Sequence, residues 1–273
     1  MSGILYVVGT PIGNLGDISE RALDTLSTCD FIAAEDTRVT LKLLNRFEIK
    51  NTLISYHEHN KTEAGPKILD RLLGGENCAL VTDAGMPAIS DPGEDLVKLC
   101  RENSVEVQAI PGPSALITAL AVSGMPSRRF VFEGFLPADK KERAQVLESI
   151  SGEERTLILY EAPHRLTKTL SDLLSSLGNR ETAVVRELTK IHEEVIITDL
   201  EKALEKYSAA EPKGEFVLII RGKERENVSM TFEQAVKYAL ELVKGGESKS
   251  DAAKKAAKES GFKKNDIYSE IIR

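Results

Sequence analysis

The sequence predicts an α/β protein: two α/β domains with mixed sheets, followed by a small C-terminal helical domain. Three observations lead there. From Ile4 to Ser114, short apolar runs alternate with polar loops and helical stretches without a break, the pattern of a largely parallel sheet. Between Thr182 and Thr198, two strand-like runs follow one another with no long helix between them, which calls for an antiparallel pair and a mixed second sheet. From Phe232 onward the pattern is helical only. The expected domains are residues 1–115, 116–227 and 228–273, and 273 residues suffice for two domains of ordinary size.

Ile4–Val8 is the first strand and ends in Gly9-Thr10-Pro11-Ile12-Gly13-Asn14-Leu15-Gly16-Asp17. The glycine spacing there matches neither a dinucleotide fingerprint nor a P-loop. A helix from about Ser19 places Ala22, Leu23 and Leu26 on one face. Phe31–Ala34 is the second strand and ends in Glu35-Asp36-Thr37-Arg38; a helix with Leu41, Leu43 and Leu44 follows. Leu53–Ser55 is the third and ends in Tyr56-His57-Glu58-His59-Asn60, before a helix with Ile68, Leu69, Leu72 and Leu73 whose start Pro66 obscures. Cys78–Val81 is the fourth and opens into Thr82–Gly93, the stretch around which the chain is organised. A loop at the carboxyl end of a buried strand is where open α/β sheets bind ligands. Gly85 permits close approach to the backbone, and Asp83 sets a carboxylate suited to a ribose hydroxyl or a cation. Asp91 is expected to cap the next helix, with Pro92 at its first position and Glu94 completing a capping-box-like pair. Val105–Ile110 is the fifth strand and leads through Pro111-Gly112-Pro113-Ser114 into Ala115–Val122, a helix apolar nearly all round and so expected to be buried.

Gly124-Met125-Pro126-Ser127 marks a boundary. Beyond it come the stretch Phe130–Pro137, a charged helix from about Asp139, and a strand from Thr156 to Tyr160 that ends in Glu161-Ala162-Pro163-His164-Arg165. Leu166, Leu170, Leu173, Leu174 and Leu177 line one face of the clearest helix, started by Pro163 and ended by Gly178. Strands follow at Thr182–Arg186, Glu194–Thr198 and Phe216–Ile220. The tail predicts three short helices, over 232–243, 250–259 and 265–272, the last two resembling a small helix-turn-helix.

A net charge of −7 argues against a uniformly basic nucleic-acid binder. Residues 231–273 hold nine Lys/Arg against seven Asp/Glu, so contact to phosphate must come from local patches. The three cysteines (Cys29, Cys78 and Cys100) form neither metal spacing nor disulfide framework, which favours a reducing cytoplasm. No apolar run approaches a membrane span.

Nine motifs occur in order: Gly9–Ile18, Ala34–Arg38, His57–Asn60, Asp83–Pro87, Pro111–Ser114, Glu133–Pro137, Pro163–Arg165, Arg186–Lys190 and Lys213–Phe216. Together, over nearly the whole chain, they resemble the bacterial ribosomal RNA small-subunit methyltransferase I family of the tetrapyrrole-methylase (class III) superfamily. Met86, where threonine is common, and Ala162-Pro163, in place of a Ser-Thr pair, are minor departures. The resemblance implies S-adenosyl-L-methionine bound in a cleft between two α/β domains. It also implies a homodimer, and 2′-O-methylation of a cytidine (cytidine 1402 in the family) in the decoding region of 16S rRNA in the small ribosomal subunit. Carried over by motif, Pro11 would border the cleft. Asp83, Gly85 and Met86 would contact the cofactor's methionine and ribose portions, with Ser114 and Ala115 beside them at a helix N-terminus. Tyr160, Glu161, Ala162, Leu188, Gly214 and Glu215 would form the wall around adenine.

A ribose 2′-hydroxyl gains from losing its proton during transfer, which calls for a base. The candidates are His57, Glu58, His59, Asp36 and Asp17, with Glu58 and His59 foremost because a carboxylate between two histidines can hold one imidazole neutral and oriented. Arg38, Asn60, His164 and Arg165 are candidate RNA contacts; the competing role for the arginines is a salt bridge, for example to Glu35 or Glu161. The rival functions are a tetrapyrrole- or protein-side-chain-directed methyltransferase of the same superfamily, and a non-catalytic RNA-binding factor.

Overall fold

In a computed structural model, which describes residues 2–209, 211–224 and 230–273, the chain forms two units, Met1–Lys223 and Glu224–Arg273. The first begins with β1 (Ile4–Val8), α1 (Glu20–Thr28), β2 (Phe31–Ala34), α2 (Thr37–Arg46), β3 (Leu53–Ser55), α3 (Lys61–Leu73), β4 (Cys78–Val81), α4 (Gly93–Glu102), β5 (Glu106–Ile110) and α5 (Ala115–Val122). The five strands pair in parallel in the order β3-β2-β4-β1-β5. Strands β2 and β4 are buried at every position, because a parallel sheet carries helices on both faces. Successive side chains divide between the two: Leu5, Phe31, Ala33 and Leu80 pack with Ile68, Leu72 and Leu96 of α3 and α4. Val8, Ile32, Ala34 and Val81 pack with Ala22, Leu26 and Leu44 of α1 and α2. Ser19 caps α1 through the Ala22 N–H, and Asp36 caps α2 through the Arg38 N–H.

The chain continues with β6 (Phe130–Phe135), α6 (Lys140–Ile150), β7 (Thr156–Glu161), α7 (Pro163–Leu177), β8 (Glu181–Arg186), β9 (Glu194–Asp199), α8 (Leu200–Ser208) and β10 (Phe216–Ile220). These strands form the mixed sheet β6-β7-β10-β8-β9, in which β8 and β9 are antiparallel as their adjacency requires. Register sets Phe216 opposite both Glu161 and Arg186, so the amino end of β10 lies beside the carboxyl ends of β7 and β8. The second unit holds α9 (Phe232–Lys244), α10 (Lys249–Ser260) and α11 (Lys264–Ile272). Ala235, Ala239, Ala253, Ala256, Ile267 and Ile271 form its core.

The structure departs from the sequence reading in three places. Asp91 does not cap α4. Its Oδ1 accepts from the N–H groups of Ala88 (2.9 Å) and Gly93 (2.7 Å), folding the loop on itself, and the helix starts after Pro92 without a side-chain cap. Helix α5 is not buried all round: Ala119 and Leu120 pack on the second sheet, while Ile117 is 51% and Val122 46% exposed. Helix α8 lies in a stretch the sequence reading left without a helix, capped by Asp199 through the Lys202 N–H and packed through Leu200, Ala203 and Tyr207. The expected boundary at 227/228 lies outside the described residues.

Candidate active site

The two sheets present their loops to one cavity of about 520 Å³. The first sheet delivers Ile12 after β1, Glu35 after β2, Thr82–Met86 after β4, and Ser114 with Ala115 after β5. From the second come Phe135 of β6, Tyr160–Pro163 at the end of β7, Val185 and Leu188 around the end of β8, and Glu215–Val217 at the start of β10. Parallel strands bring their carboxyl ends to the same edge, so one fold rule collects all four loops of the first sheet.

The floor is a close crossing of backbones. Thr10 and Gly85 exchange hydrogen bonds, N to O at 2.9 Å and O to N at 3.1 Å, and Gly85 takes a φ of +89° that favours glycine. Gly9 and Gly112, at the ends of β1 and β5, lie so near that a Cβ on Gly112 would fall 2.8 Å from Gly9 backbone atoms. The first sheet contributes carboxylates. Glu35 accepts from the Thr82 hydroxyl, and Asp83 Oδ1 accepts from the Asp36 N–H at 3.1 Å. Burial, reinforced by the neighbouring charges of Glu35 and Asp36, pushes the Asp83 carboxyl above the usual aspartate range. Asp36 goes the other way: the Arg38 guanidinium bonds both its oxygens and holds it down to about 2.

The second sheet contributes apolar and aromatic surface: Val185, Leu188, Phe216, Val217 and the Tyr160 ring. Phe132 and Phe135 meet that ring edge-on at 4.9 and 5.6 Å, and a register shift between Phe132 and Gly134 brings Phe135 to the wall. The Tyr160 hydroxyl accepts from the Leu116 N–H at 3.0 Å, tying the second sheet to the first turn of α5. At that helix start the Ser114 side chain makes no cap bond.

Glu161 reaches the wall with its side chain fully buried. It accepts from the Ala162 N–H at 2.8 Å and from the Thr169 hydroxyl, and Arg165 Nε lies 3.5 Å away. Thr169 in turn accepts from Arg143 Nη2 at 2.8 Å, and Arg143 Nε binds Asp172 at 2.6 Å. A chain of polar groups thus runs from Asp172 through a buried guanidinium to the Glu161–Pro163 turn. Arg143→Ala strips a buried ion pair and hydrogen-bond network of its cation. The expected cost is about 3 kcal/mol, and in a chain of this size a melting temperature lower by roughly 6–12 °C. A change under about 2 °C in a thermal melt would show that the network contributes little.

Among the residues expected to hold the cofactor, Asp83, Gly85, Met86, Ser114, Ala115, Tyr160, Glu161, Ala162, Leu188 and Glu215 line this cavity. Pro11 lines a neighbouring one. Gly214 lines neither; with a φ of +97° it packs against Glu187, whose Oε1 accepts from the Glu215 N–H at 2.9 Å. The residues proposed as bases are not brought together with these. His57, Glu58, His59 and Asp36 line neither cavity, and β3, which carries the 57–60 loop, is the edge strand opposite β5. Glu58 pairs with Lys61 at 2.7 Å, and the Asn60 side chain bonds the His57 N–H and the Ser55 carbonyl. Asp17 is exposed in a short 3-10 turn, Leu15–Asp17. Arg38 pairs with Asp36, not Glu35, and its side chain stays 86% exposed. Arg165 bonds Glu161 and the carbonyls of Leu136 and Pro137, while His164 is exposed. Ile12, Glu35, Phe135, Val185, Phe216 and Val217 were not anticipated. Their apolar members read as core in the sequence, and the Glu35–Thr82 bond joins residues 47 apart.

Residues 4–204 match the family model of tetrapyrrole (corrin/porphyrin) methylases. The chain is 48% identical over 268 residues to a ribosomal RNA small subunit methyltransferase I of Synechocystis, covering 97% of this chain and 96% of that one. A protein of the same name from Thermotoga maritima is 47% identical over 222 residues, all of its length and 81% of this chain. In fold, the chain resembles uroporphyrin-III C-methyltransferase from Thermus thermophilus complexed with S-adenosyl homocysteine, with a TM-score of 0.56 at 18% identity, covering 80% of this chain and 97% of that one.

Proposed function

This chain belongs to the tetrapyrrole methylase family and, within it, to the ribosomal RNA small subunit methyltransferases I, and from that premise we propose that it methylates the ribose 2′-oxygen of cytidine 1402 in 16S rRNA. It is an S-adenosylmethionine-dependent rRNA methyltransferase. The observation that carries methyl transfer from this donor is the cavity between the sheets, where Glu35, Asp83 and Asp91 of the first sheet's loops face Tyr160, Val185, Leu188 and Val217 of the second, with Glu161 and Glu215 among them. Its donor set suits a molecule with an amino acid end, a ribose and an adenine. The amino end of α5 favours a carboxylate, Asp83 suits hydroxyls, and the Tyr160, Leu188 and Val217 surface suits a flat apolar ring.

S-adenosylmethionine supplies an electrophilic methyl group on a positively charged sulfur. The residues around it hold the acceptor in line and exclude water. With the donor bound, its methyl carbon would go to the ribose oxygen as the carbon–sulfur bond breaks, the electron pair staying on sulfur. The hydroxyl proton would pass to Asp83, which lines both this cavity and its neighbour and whose carboxyl burial holds above the usual aspartate range, as it does that of Asp91. Arg38 and His164, both exposed, are proposed to meet RNA phosphates, whereas Asn60 and Arg165 act by shaping their loops.

Incubation with labelled donor and small ribosomal subunits, followed by mapping of ribose methylation, tests the reading. Label at cytidine 1402, absent from rRNA of cells lacking the protein, is expected. Label on a porphyrinoid or a protein, with none on rRNA, would sink it. A homodimer is also proposed, formed through the apolar face of α5 that Ile117 and Val122 leave exposed. Light scattering should give twice the chain mass, reduced to the single mass by Ile117→Glu. A monomeric parent protein would remove the proposal. Among the described residues no helix is long and apolar enough to cross a membrane, and activity on rRNA would place the chain in the cytoplasm.

A further inference from the structure

A second cavity, of about 320 Å³, abuts the first and shares Thr82 and Asp83 with it. Its remaining wall comes from the loop after β1 and from α2, and its apolar members include Leu15, Val39 and Leu43. Leu15 is 43% and Val39 37% exposed, so two apolar side chains stand open to solvent at the cavity. Helix α2 carries Arg38, Lys42 and Arg46 and no carboxylate. Four-residue spacing puts the three on one face, stepping about 6 Å along the axis. Lys42 itself lines the cavity.

A slot with apolar sides, a carboxylate on its inner wall and a row of cations along it matches one nucleotide of a single strand. The base would lie between Leu15 and Val39, the ribose at the shared wall, and the flanking phosphates along α2. Aliphatic walls accept the face of a base, and cations at regular spacing track a phosphate backbone. We infer that this second cavity receives the acceptor nucleotide of the RNA and that Arg38, Lys42 and Arg46 grip the phosphates beside it. The inference rests on the methyl-transfer reading above, because it sets acceptor and donor on opposite sides of Asp83. The bidentate Arg38–Asp36 pair is no obstacle, since an exposed ion pair is weak and a phosphate can replace the carboxylate.

Two variants test it, each measured for binding of extracted small-subunit rRNA and of small ribosomal subunits, for methyl transfer, and for S-adenosylhomocysteine affinity by calorimetry. Lys42→Glu/Arg46→Glu reverses two exposed charges and is expected to weaken RNA binding at least about tenfold and to flatten its salt dependence. Val39→Trp fills the slot and is expected to lower kcat/KM at least about tenfold. S-adenosylhomocysteine affinity should stay within about twofold of the parent in both, which also shows that they fold. RNA affinity and kcat/KM close to the parent in both variants would overturn the inference. So would joint loss of S-adenosylhomocysteine binding and transfer in Val39→Trp, with RNA binding intact in the charge-reversed variant. A parent protein that binds rRNA but transfers nothing to it would strike the proposed function instead, and RNA affinity of the charge-reversed variant would still decide this inference.

Discussion

Asp83→Asn is expected to slow methyl transfer by about 10²–10⁴-fold, the usual contribution of a general base. The substitution keeps the size of the side chain and an acceptor oxygen for the Asp36 N–H, so the loop holds its form. What it removes is the capacity to accept a proton at the wall shared by the two cavities. Asp83 also faces the donor's ribose in this reading, so donor affinity should fall too, but by less than kcat, and the split between the two is the measurement. A pH profile adds a second reading. The folded Asp83 carboxyl lies above its ordinary value, so the rate should rise as pH climbs through that raised value and the base becomes charged. In Asp83→Asn that acidic limb should vanish. Asp36 lines neither cavity and so is not placed to take the proton at their shared wall. Glu58 and His59 remain the competitors. Loss of transfer in Glu58→Gln or His59→Ala, with Asp83→Asn active, would return the proton to the 57–60 loop.

That competition shows what a sequence carries about a site. The polar loops after β1, β2, β3, β4 and β5 were all visible, because each follows an apolar run and contains residues that strands exclude. Which of those loops meet was not visible. The order β3-β2-β4-β1-β5 puts the histidine-rich loop on the edge strand farthest from β1 and β5 and the Asp83 loop in the middle, and strand order depends on long-range pairing that local pattern does not encode. Val185, Phe216 and Val217 illustrate a second limit. A buried strand reads the same whether its last residues face a core or a cleft, so the apolar wall was hidden among core residues. Helix α5 illustrates a third: with apolar residues on all sides there is no stripe to say which face is covered, and exposure at Ile117 and Val122 appears only in the fold. Two cations of α2, unlike Arg38, were overlooked for the opposite reason. Lys42 and Arg46 look like ordinary surface charge until the cavity beside them is seen.

Gly112→Val is expected to do the greatest damage to the fold of the site, because the obstacle is backbone and not a movable side chain. Neither Gly112 nor Gly9 has a positive φ, so conformational freedom is not what glycine supplies here. It supplies room. A Cβ on Gly112 would sit 2.8 Å from the Gly9 Cα, carbonyl carbon and oxygen, and one on Gly9 would sit 2.6 Å from Gly112 Cα. Neither backbone can retreat without loosening the β1–β5 register, which pairs Val8 with Ile110, or the Gly9 N–H to Ile110 carbonyl bond of 3.0 Å. Those same strand ends carry Thr10, whose N–H holds Gly85, and Ser114 at the start of α5. The clash would therefore pass directly to both sides of the first cavity. Forced separation of two buried strand ends belongs with the exceptional substitutions, costing more than about 4 kcal/mol. Gly112→Ala should cost less, since it adds the Cβ alone, and should still weaken S-adenosylhomocysteine binding by more than it lowers the melting temperature would suggest. The two are measured by a thermal melt and by calorimetry of the same samples. Parent-like melting and parent-like affinity in Gly112→Ala would mean that the crossing is not tight in solution, and the account of how β1 and β5 build the cavity floor would fall with it.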